Sequence, residues 1–504
     1  MAAIVIAQRK QTGRNAVVFF SSVVAFTLVA VCCNARAVAD GLRVGFAEAD
    51  ITPPQGYPMA GYYHERLASG VKDPLKAKAM VLIDGKERAA IVVCDLIGIS
   101  RDLSVVVRQR VTEKLGIAAE HIVLTGTHSH TAPDYSREFY EFAATLKPRS
   151  DGKPAYATKL VEGIVSAVVR ASESAEAVTI QSGSATQSTP VSFNRRFVMR
   201  DGSVRTWMSL KSDGVVRAAG PIDPELPMAV MRSEATKKPR GVFSNFALHL
   251  DTVGGSEWSA DYPRFIEQAV RQELGDDVVS IFGTGTCGDI NHVDPERTER
   301  NKTDVIGQSL GQTLVQALPK LQDVSSTALR VRSGIVKVPM QAVSEPDVRR
   351  SEQLLKLIQE GGKVEFLDQV LAYKTIMLDH LQHRPSFASS PNLISWGLSK
   401  TWAGVGAELP VEVTAICVGE DLAIVCLPGE IFVDLGLAIK RGSPFRTTMV
   451  VELANCVETI YVPPRAAYAG GSYEVTNSAL RPGSGEMLVE EALRLLRDAS
   501  TVKK

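Results

Sequence analysis

The chain has 504 residues, 45% of them hydrophobic and 22% charged, with Lys+Arg and Asp+Glu balanced at 56 each. Such a composition supplies ample apolar material for a core, and the length suits one large catalytic domain with insertions. A formal net charge of zero and the lack of any Lys/Arg block exclude the electrostatic footprint of a nucleic-acid partner.

At the N-terminus Arg9, Lys10 and Arg14 precede an apolar run, "AVVFFSSVVAFTLVAVCC", and small residues follow in "ARAVAD". A basic flank, an apolar stretch and A-x-A patterns make residues 1–39 a secretory signal peptide. The expectation is an exported protein, periplasmic or secreted, with one catalytic domain over 40–504. The alternative is an uncleaved anchor, because about 18 apolar residues nearly span a bilayer. After cleavage Cys94, Cys287, Cys417, Cys426 and Cys456 remain, an odd and scattered set without a C-x-x-C pair. Cys417 and Cys426 either face each other across a hairpin or are core thiols.

From Leu42 onward, short apolar runs alternate with helical stretches. "RAAIVVCDLIGIS" reads as a buried strand ending in a polar loop, "RDLSVVVRQRVTEKLG" as a helix with a Gly stop, and "HIVLT" as another strand. "GVFSNFALHL", "DYPRFIEQAVRQEL" and "VVSIFGTGTCGDIN" repeat the strand–helix–strand order, and the region from "EDLAIVCLPGEIF" to "TTMVVELANC" repeats it again. This predicts an α/β fold, a mixed central sheet or sheets packed with helices. Between about 345 and 405, apolar spacings of three and four predict a helical insertion covering one side of the sheet.

"GTHSHTAPD" places His128 and His130 one residue apart at a strand end, where residues i and i+2 share a face. Both could enter one pocket as metal ligands, or both could serve as loop caps and polar-core hydrogen-bond formers. "NFALHLD" puts His249 near the end of a second apolar strand, and "LPGEIF" puts Glu430 in a tight turn after a third. A glutamate there is also an ordinary helix N-terminal charge. Still, ligand-type side chains at the ends of separate strands are how a site on an open sheet is built. No H-E-x-x-H helix is present, the Asp-His that follows H-x-H in metallo-β-lactamase-like sites is missing, and no serine nucleophile elbow is expected. "GTGTCGDIN" lacks the Lys-Ser/Thr of a phosphate loop and reads as a close backbone approach to a pocket.

Taken in order, "GFAEADITPPQGYPMAGY", "VVCDLIGIS", "LTGTHSHTAPD", "FNRRF", "AGPIDPEL", "NFALH", "TGTCGDIN", "LPGEIF" and "SYE" resemble the neutral/alkaline non-lysosomal ceramidase family over roughly 44–500. The resemblance implies a zinc ion (Zn2+) held by His128, His249, Glu430 and a tyrosine. That tyrosine falls on Tyr461, with Tyr468 as the fallback because the spacing from Asn455 is one residue longer than the family pattern. It further implies that Arg195 and Tyr473 face the substrate amide, and that His130 handles a proton. From the residues alone, Arg195 and Tyr473 read as surface pairing and packing. The implied reaction is hydrolysis of an N-acyl amide, ceramidase-like, releasing a fatty acid and a sphingoid-type amine. The implied partner is a small N-acylated substrate, including a lipid met at a membrane surface. The family's sphingolipid-processing members carry a C-terminal β-sandwich domain, and this sequence more nearly resembles the short bacterial-type members. Two alternatives stay open: a zinc hydrolase of another N-acyl or ester substrate, such as an acylated amino sugar, and a catalytically silent binding protein on the same scaffold.

Overall fold

In the computed structural model, which describes residues 41–136, 138, 156–297, 300–383 and 398–500, strand alternation sorts side chains into layers. The leader expected over 1–39 lies outside the described residues, as does 384–397 within the expected helical insertion. The larger sheet runs, in spatial order, through Val279–Thr284, Pro239–Phe246, Glu225–Ser233, Glu176–Thr186, Arg43–Asp50, Lys76–Asp84, Glu87–Cys94 and Ile122–Gly126. The smaller sheet orders Leu329–Pro339, Glu408–Val418, Leu422–Cys426 and Thr447–Val451. Most neighbours are antiparallel. Three pairs are parallel: Glu87–Cys94 with Ile122–Gly126, Pro239–Phe246 with Val279–Thr284, and Leu422–Cys426 with Thr447–Val451.

Alternate residues of one strand serve different layers, as a period of two requires. Met80 and Leu82 face the second sheet, where they share a cluster with Ile416, Ile424 and Met449. Ala79 and Val81 face outward, onto Leu103, Val107 and Val111 of helix Arg101–Leu115 and onto Leu160 and Ile164 of helix Tyr156–Glu173. Farther along the same sheet, Met228, Val230 and Val242 bury helices Pro263–Leu274 and Thr303–Ala317. Val411, Val413 and Val425 of the smaller sheet bury helices Val433–Gly442 and Ser484–Ser500. The sheets therefore pack face to face, with helices on both outer sides. Each fully buried Val, Leu or Ile contributes about 1.5–3 kcal/mol.

Local signals end the helices where the sequence predicts. Ser100 caps helix Arg101–Leu115 by accepting from the Leu103 N–H, and Gly116 closes it in the left-handed conformation. Cys417 turns to the helix-covered face of its strand while Cys426 faces the other sheet, so they are buried free thiols rather than a bridged pair. A G-x-S-x-G match does occur, at Gly307, Ser309 and Gly311. It lies inside helix Thr303–Ala317 rather than at a strand-to-helix turn, and Ser309 Oγ accepts from Gln187, so it forms no nucleophile elbow.

The larger sheet curls until its two edges meet. The Thr284 hydroxyl donates to the Thr127 carbonyl at 2.8 Å across the junction. Residues 452–455 thread beside it. Thr125 Oγ1 donates to the Glu452 carbonyl, and Asn455 exchanges hydrogen bonds with the Leu124 backbone. This closure brings the ends of all three parallel pairs to one place. The expected insertion forms helices Glu345–Gln359 and Phe366–His383. Met377, Leu378 and Leu381 pack it on the outer cluster of the smaller sheet, while Ile358, Tyr373 and Ile376 overhang a cleft at the sheet ends. Among the described residues no helix is long and apolar enough to cross a membrane.

Candidate metal centre

His128 follows strand Ile122–Gly126, His249 follows Pro239–Phe246, and Glu430 follows Leu422–Cys426, so each parallel pair delivers one side chain. The chain bends sharply to do this. His128 itself adopts a left-handed backbone with φ of 71°, a strained state for a residue with a Cβ. Before Glu430, Gly429 has φ of 71°, and a Cβ there would lie 2.0 Å from Thr459 Oγ1, so the Pro-Gly turn admits only glycine.

All three side chains are buried, at 2%, 2% and 4% exposure for His128, His249 and Glu430. His128 Nδ1 faces the Ile97 carbonyl at 2.7 Å, and His249 Nδ1 faces the Cys287 carbonyl at 3.1 Å. A carbonyl only accepts, so each Nδ1 carries the proton and each Nε2 presents a lone pair. Those two Nε2 atoms lie 2.9 Å apart, with Glu430 Oε2 at 3.3 Å from one and 3.7 Å from the other. Glu430 Oε2 is buried without a hydrogen-bond donor. Three electron-rich atoms thus converge with no proton between them, an arrangement that a cation relieves. Tetrahedral bonds of about 2.0–2.1 Å to a metal would separate donor atoms by roughly 3.3 Å. The observed distances bracket that value.

His249 is held well below the ordinary imidazole pKa, by burial first and then by the nearby Arg195 guanidinium, so it stays neutral as a ligand must. Burial pushes the Glu430 carboxyl up, but the Arg195 guanidinium and the Tyr461 hydroxyl oppose it, and the net direction is down, toward the ionised form. His130 stands beside them, and one ring nitrogen from each of His128, His130 and His249 lies within 4.8 Å of the others, a group that could hold a metal ion. His130 differs in its support. Neither of its ring nitrogens has a hydrogen-bond partner, and the nearest carboxylate, Asp251, is 3.9 Å away. Burial lowers its pKa to about 4.

Arg195 is 5% exposed and spans the centre. Its Nε donates to Glu474 Oε1 at 2.7 Å, Nη2 to the Gly288 carbonyl at 2.9 Å and to the Tyr461 hydroxyl at 3.0 Å, and Nη1 lies 3.5 Å from His249 Nε2. It is therefore an interior residue, not the surface ion pair that its residue type alone suggests. Tyr461 is register partner to Glu430 across a short parallel pair, Glu430–Ile431 with Tyr461–Val462. Tyr468 turns away: its hydroxyl donates to the Leu480 carbonyl and contacts Ser478 Oγ. Tyr473 opens helix Tyr473–Asn477 and packs against Tyr461, Trp207 and Phe366, lining the cleft.

Two carboxylates behind the centre were not singled out by sequence reasoning. Glu474, fully buried, holds both Arg195 and Arg196. Glu452, also fully buried, accepts from the backbone N–H groups of Cys287 and Ile431, tying the loop that orients His249 to the loop that carries Glu430. The "SYE" triplet contained Glu474, but nothing in its neighbours marked it as interior.

The cleft has two adjoining lobes of about 580 and 810 Å³ that share Tyr62, Tyr63, His130, Tyr461 and Tyr473. Met59, Ile97, Ile376, Met377 and Ile460 make part of the first lobe apolar. Trp207, 52% exposed, stands at the second beside Phe366 and Tyr473. Gly61 fits against His130: a Cβ there would lie 2.9 Å from the imidazole's Cβ, Cγ and Nδ1, and its φ is +98°. Gly61→Ala should lose about 1–3 kcal/mol of stability through overpacking and strain. It should also displace His130 and lower kcat by up to about 100-fold, with metal content unchanged; denaturant unfolding, kinetics and metal analysis check this.

His292, 2% exposed, has both ring nitrogens unpartnered, and burial lowers its pKa to about 4. The unfolded chain, with an ordinary imidazole near 6.5, therefore takes up a proton first as pH falls. Stability should decline from about pH 6.5 to about pH 4 and then level off, by at most about 3 kcal/mol from this group. His292→Asn should flatten that part of the curve, measured as urea midpoints across the range; an unchanged slope would assign the acid sensitivity elsewhere.

The fold and the centre together define a two-sheet α/β protein with a buried histidine cluster able to hold a metal ion at the floor of a cleft. Residues 42–290 match the family described as neutral/alkaline non-lysosomal ceramidase, N-terminal, a family of hydrolases. The matched part contains His128, His130, Arg195 and His249, while Glu430, Tyr461 and Tyr473 lie beyond it. The structure is similar to a neutral ceramidase from Pseudomonas aeruginosa, with a TM-score of 0.63 and 18% identity, covering 92% of this chain and 76% of that one. It is likewise similar to a ceramidase complexed with C2, with a TM-score of 0.64, 18% identity and the same coverage. At that identity the two structures establish a shared fold.

Proposed function

We propose that this protein is a zinc-dependent, ceramidase-like hydrolase that cleaves the N-acyl bond of an amide substrate, giving a fatty acid and a free amine of sphingoid type. The observation that carries it is the facing pair of unprotonated Nε2 atoms on His128 and His249 with Glu430 Oε2 beside both. His128, His249, Glu430 and Tyr461 are the ligands in this reading. Ligand histidines almost always donate their other ring nitrogen to an acceptor. His128 and His249 do so; His130 does not, which suits it to moving protons instead. Nitrogen and oxygen donors at such spacing, in three-plus-one number, suit zinc.

When bound, zinc supplies a water nucleophile of lowered pKa and Lewis-acid polarisation of the amide carbonyl. The chain's own groups do the rest. Arg195, fixed by Glu474 and the Gly288 carbonyl, presents its remaining guanidinium edge where negative charge develops on the carbonyl oxygen. The Tyr473 hydroxyl, buried and protonated with a pKa pushed up to about 12, donates to the same oxygen. Neutral His130 takes up a proton on a free ring nitrogen and delivers it to the leaving amine. Met59, Ile97 and Ile376 line the apolar side of the cleft, where the acyl chain is excluded from water.

In the same reading the basic flank, apolar run and small residues of 1–39 support export, with the activity outside the cytoplasm. A panel of short-chain ceramide, N-acetyl sugars and simple acyl esters tests the reaction class. Release of fatty acid from the amide lipid, lost on chelation, is expected. Turnover confined to sugars or esters would move the assignment to another acyl hydrolase, and no turnover of any would favour a silent binding protein.

A further inference from the structure

The cleft contains a buried amine that the hydrolytic reading does not use. Lys374 lies on the inner face of helix Phe366–His383, between Tyr373 and Met377, and lines the first lobe together with His128, Glu430 and Tyr473. It is 6% exposed, and its Nζ donates to Gln341 Oε1 at 3.0 Å. That acceptor is neutral and rigidly placed: Gln341 Nε2 donates to the Ser478 and Leu480 carbonyls, and the Gln341 carbonyl accepts from Gln382. These contacts hold the amine beside the segment that begins with Asn477, itself a lining residue. Among the described residues Lys374 forms no ion pair. Residues 384–397, which follow it in the sequence, contain no Asp or Glu.

Lysine is almost never buried without a counter-charge, because an ammonium has three donors and loses its hydration on burial. Burial lowers the Lys374 amine to about 8, with no carboxylate pulling the other way, so it remains largely charged at neutral pH. If its only task were to fill space, a methionine of similar length would pack there without that penalty. The other charged groups lining this lobe are acidic: Glu65 exposed at the mouth, Asp134 half-buried, and Glu430 among the metal ligands. None of them compensates Lys374.

We propose that Lys374 is an anion anchor within the cleft, and that the preferred substrate is an amide whose amine half carries a carboxylate, as in an N-acyl amino acid. The inference rests on the amide-hydrolase reading of the neighbouring centre, and it replaces the sphingoid-type amine half with one that bears a carboxylate. In that reading the acyl half is a plain hydrocarbon chain, so a carboxylate that reaches Lys374 is carried by the amine half.

The test compares kcat/KM for N-lauroylglycine and N-lauroylethanolamine, which differ in the charge of the amine half, in the zinc-loaded wild type and in Lys374→Met. The wild type should favour the glycine conjugate at least tenfold, and Lys374→Met should lower that ratio at least tenfold. Without ligand, the variant should melt at or above the wild-type temperature, since a buried uncompensated charge has been removed; loss of a structural lysine would lower it. An unchanged ratio overturns the proposal, as does a variant that melts lower with its preference intact. If neither compound is cleaved, the hydrolase reading fails, and the anchor is judged by thermal protection alone. N-lauroylglycine raising the melting temperature of the wild type but not of Lys374→Met supports the anion site; equal protection, or none, overturns it.

Discussion

Replacing His128 with alanine should empty the centre of zinc and abolish hydrolysis while leaving the chain folded. The imidazole contributes one of three converging donors, anchored through its Nδ1–H on the Ile97 carbonyl. Loss of groups that merely orient ligands lowers metal affinity about 10–100-fold; loss of a ligand should exceed that. The fold should tolerate the change, because the remaining Nε2 of His249 no longer faces a second lone pair. His130→Ala is the contrasting variant: zinc retained, turnover reduced. The pair of variants, assayed for bound zinc and for activity, separates the two histidines of one H-x-H motif. Loss of zinc from His130→Ala and retention in His128→Ala would reverse their roles.

The second large effect is expected at Arg195. Arg195→Met removes the guanidinium that lies 3.5 Å from His249 Nε2 and should lower kcat by about 100–1,000-fold, the effect of losing one oxyanion donor. Zinc content should hold, because Arg195 is not a ligand. Stability should fall too. Breaking a buried ion pair by removing one partner typically costs about 3–5 kcal/mol, and here Glu474 loses its contact at 2.7 Å while keeping Arg196 at 3.3 Å, which places the loss at the lower end. Kinetics resolved into kcat and KM, with denaturant unfolding alongside, separates the two contributions. A variant with normal kcat and reduced stability would show Arg195 to be structural.

Much of this convergence is legible in the sequence because the residues that meet there obey local rules. His128 and His249 close apolar strands, and Glu430 sits in a Pro-Gly turn whose geometry only glycine permits. The alternation of runs also specifies the α/β class, and the layers follow from which of Ala79, Met80, Val81 and Leu82 points to which side. What could not be read depends on closure over long distances. The contact of Thr284 with Thr127 joins the two edges of one sheet, and no periodicity encodes it. Glu452 and Glu474 look like surface carboxylates until the fold buries them against backbone N–H groups and two arginines. Lys374 sits in a helix whose apolar spacing was plain, but whose position over the cleft was not. The G-x-S-x-G match inside helix Thr303–Ala317 shows the converse, a motif without the strand-to-helix turn that gives it meaning.

The wider consequence concerns how one scaffold chooses substrates. The centre is assembled by the two sheets, whereas the overhanging wall of the cleft comes from the helical pair Glu345–Gln359 and Phe366–His383. Chemistry and selectivity thus reside on different parts of the chain. In the proposed reading, changes in the helices should alter which amine half is admitted without disturbing His128, His249 or Glu430.

The central claim is that these three residues hold a zinc ion that hydrolysis requires. The most direct test is elemental analysis of the purified protein before and after chelation, with fatty-acid release from an N-acyl amide followed on the same samples. About one zinc per chain, activity lost with its removal and regained when zinc is restored, is the expected result. Hydrolysis that proceeds undiminished in protein stripped of all metal would contradict it.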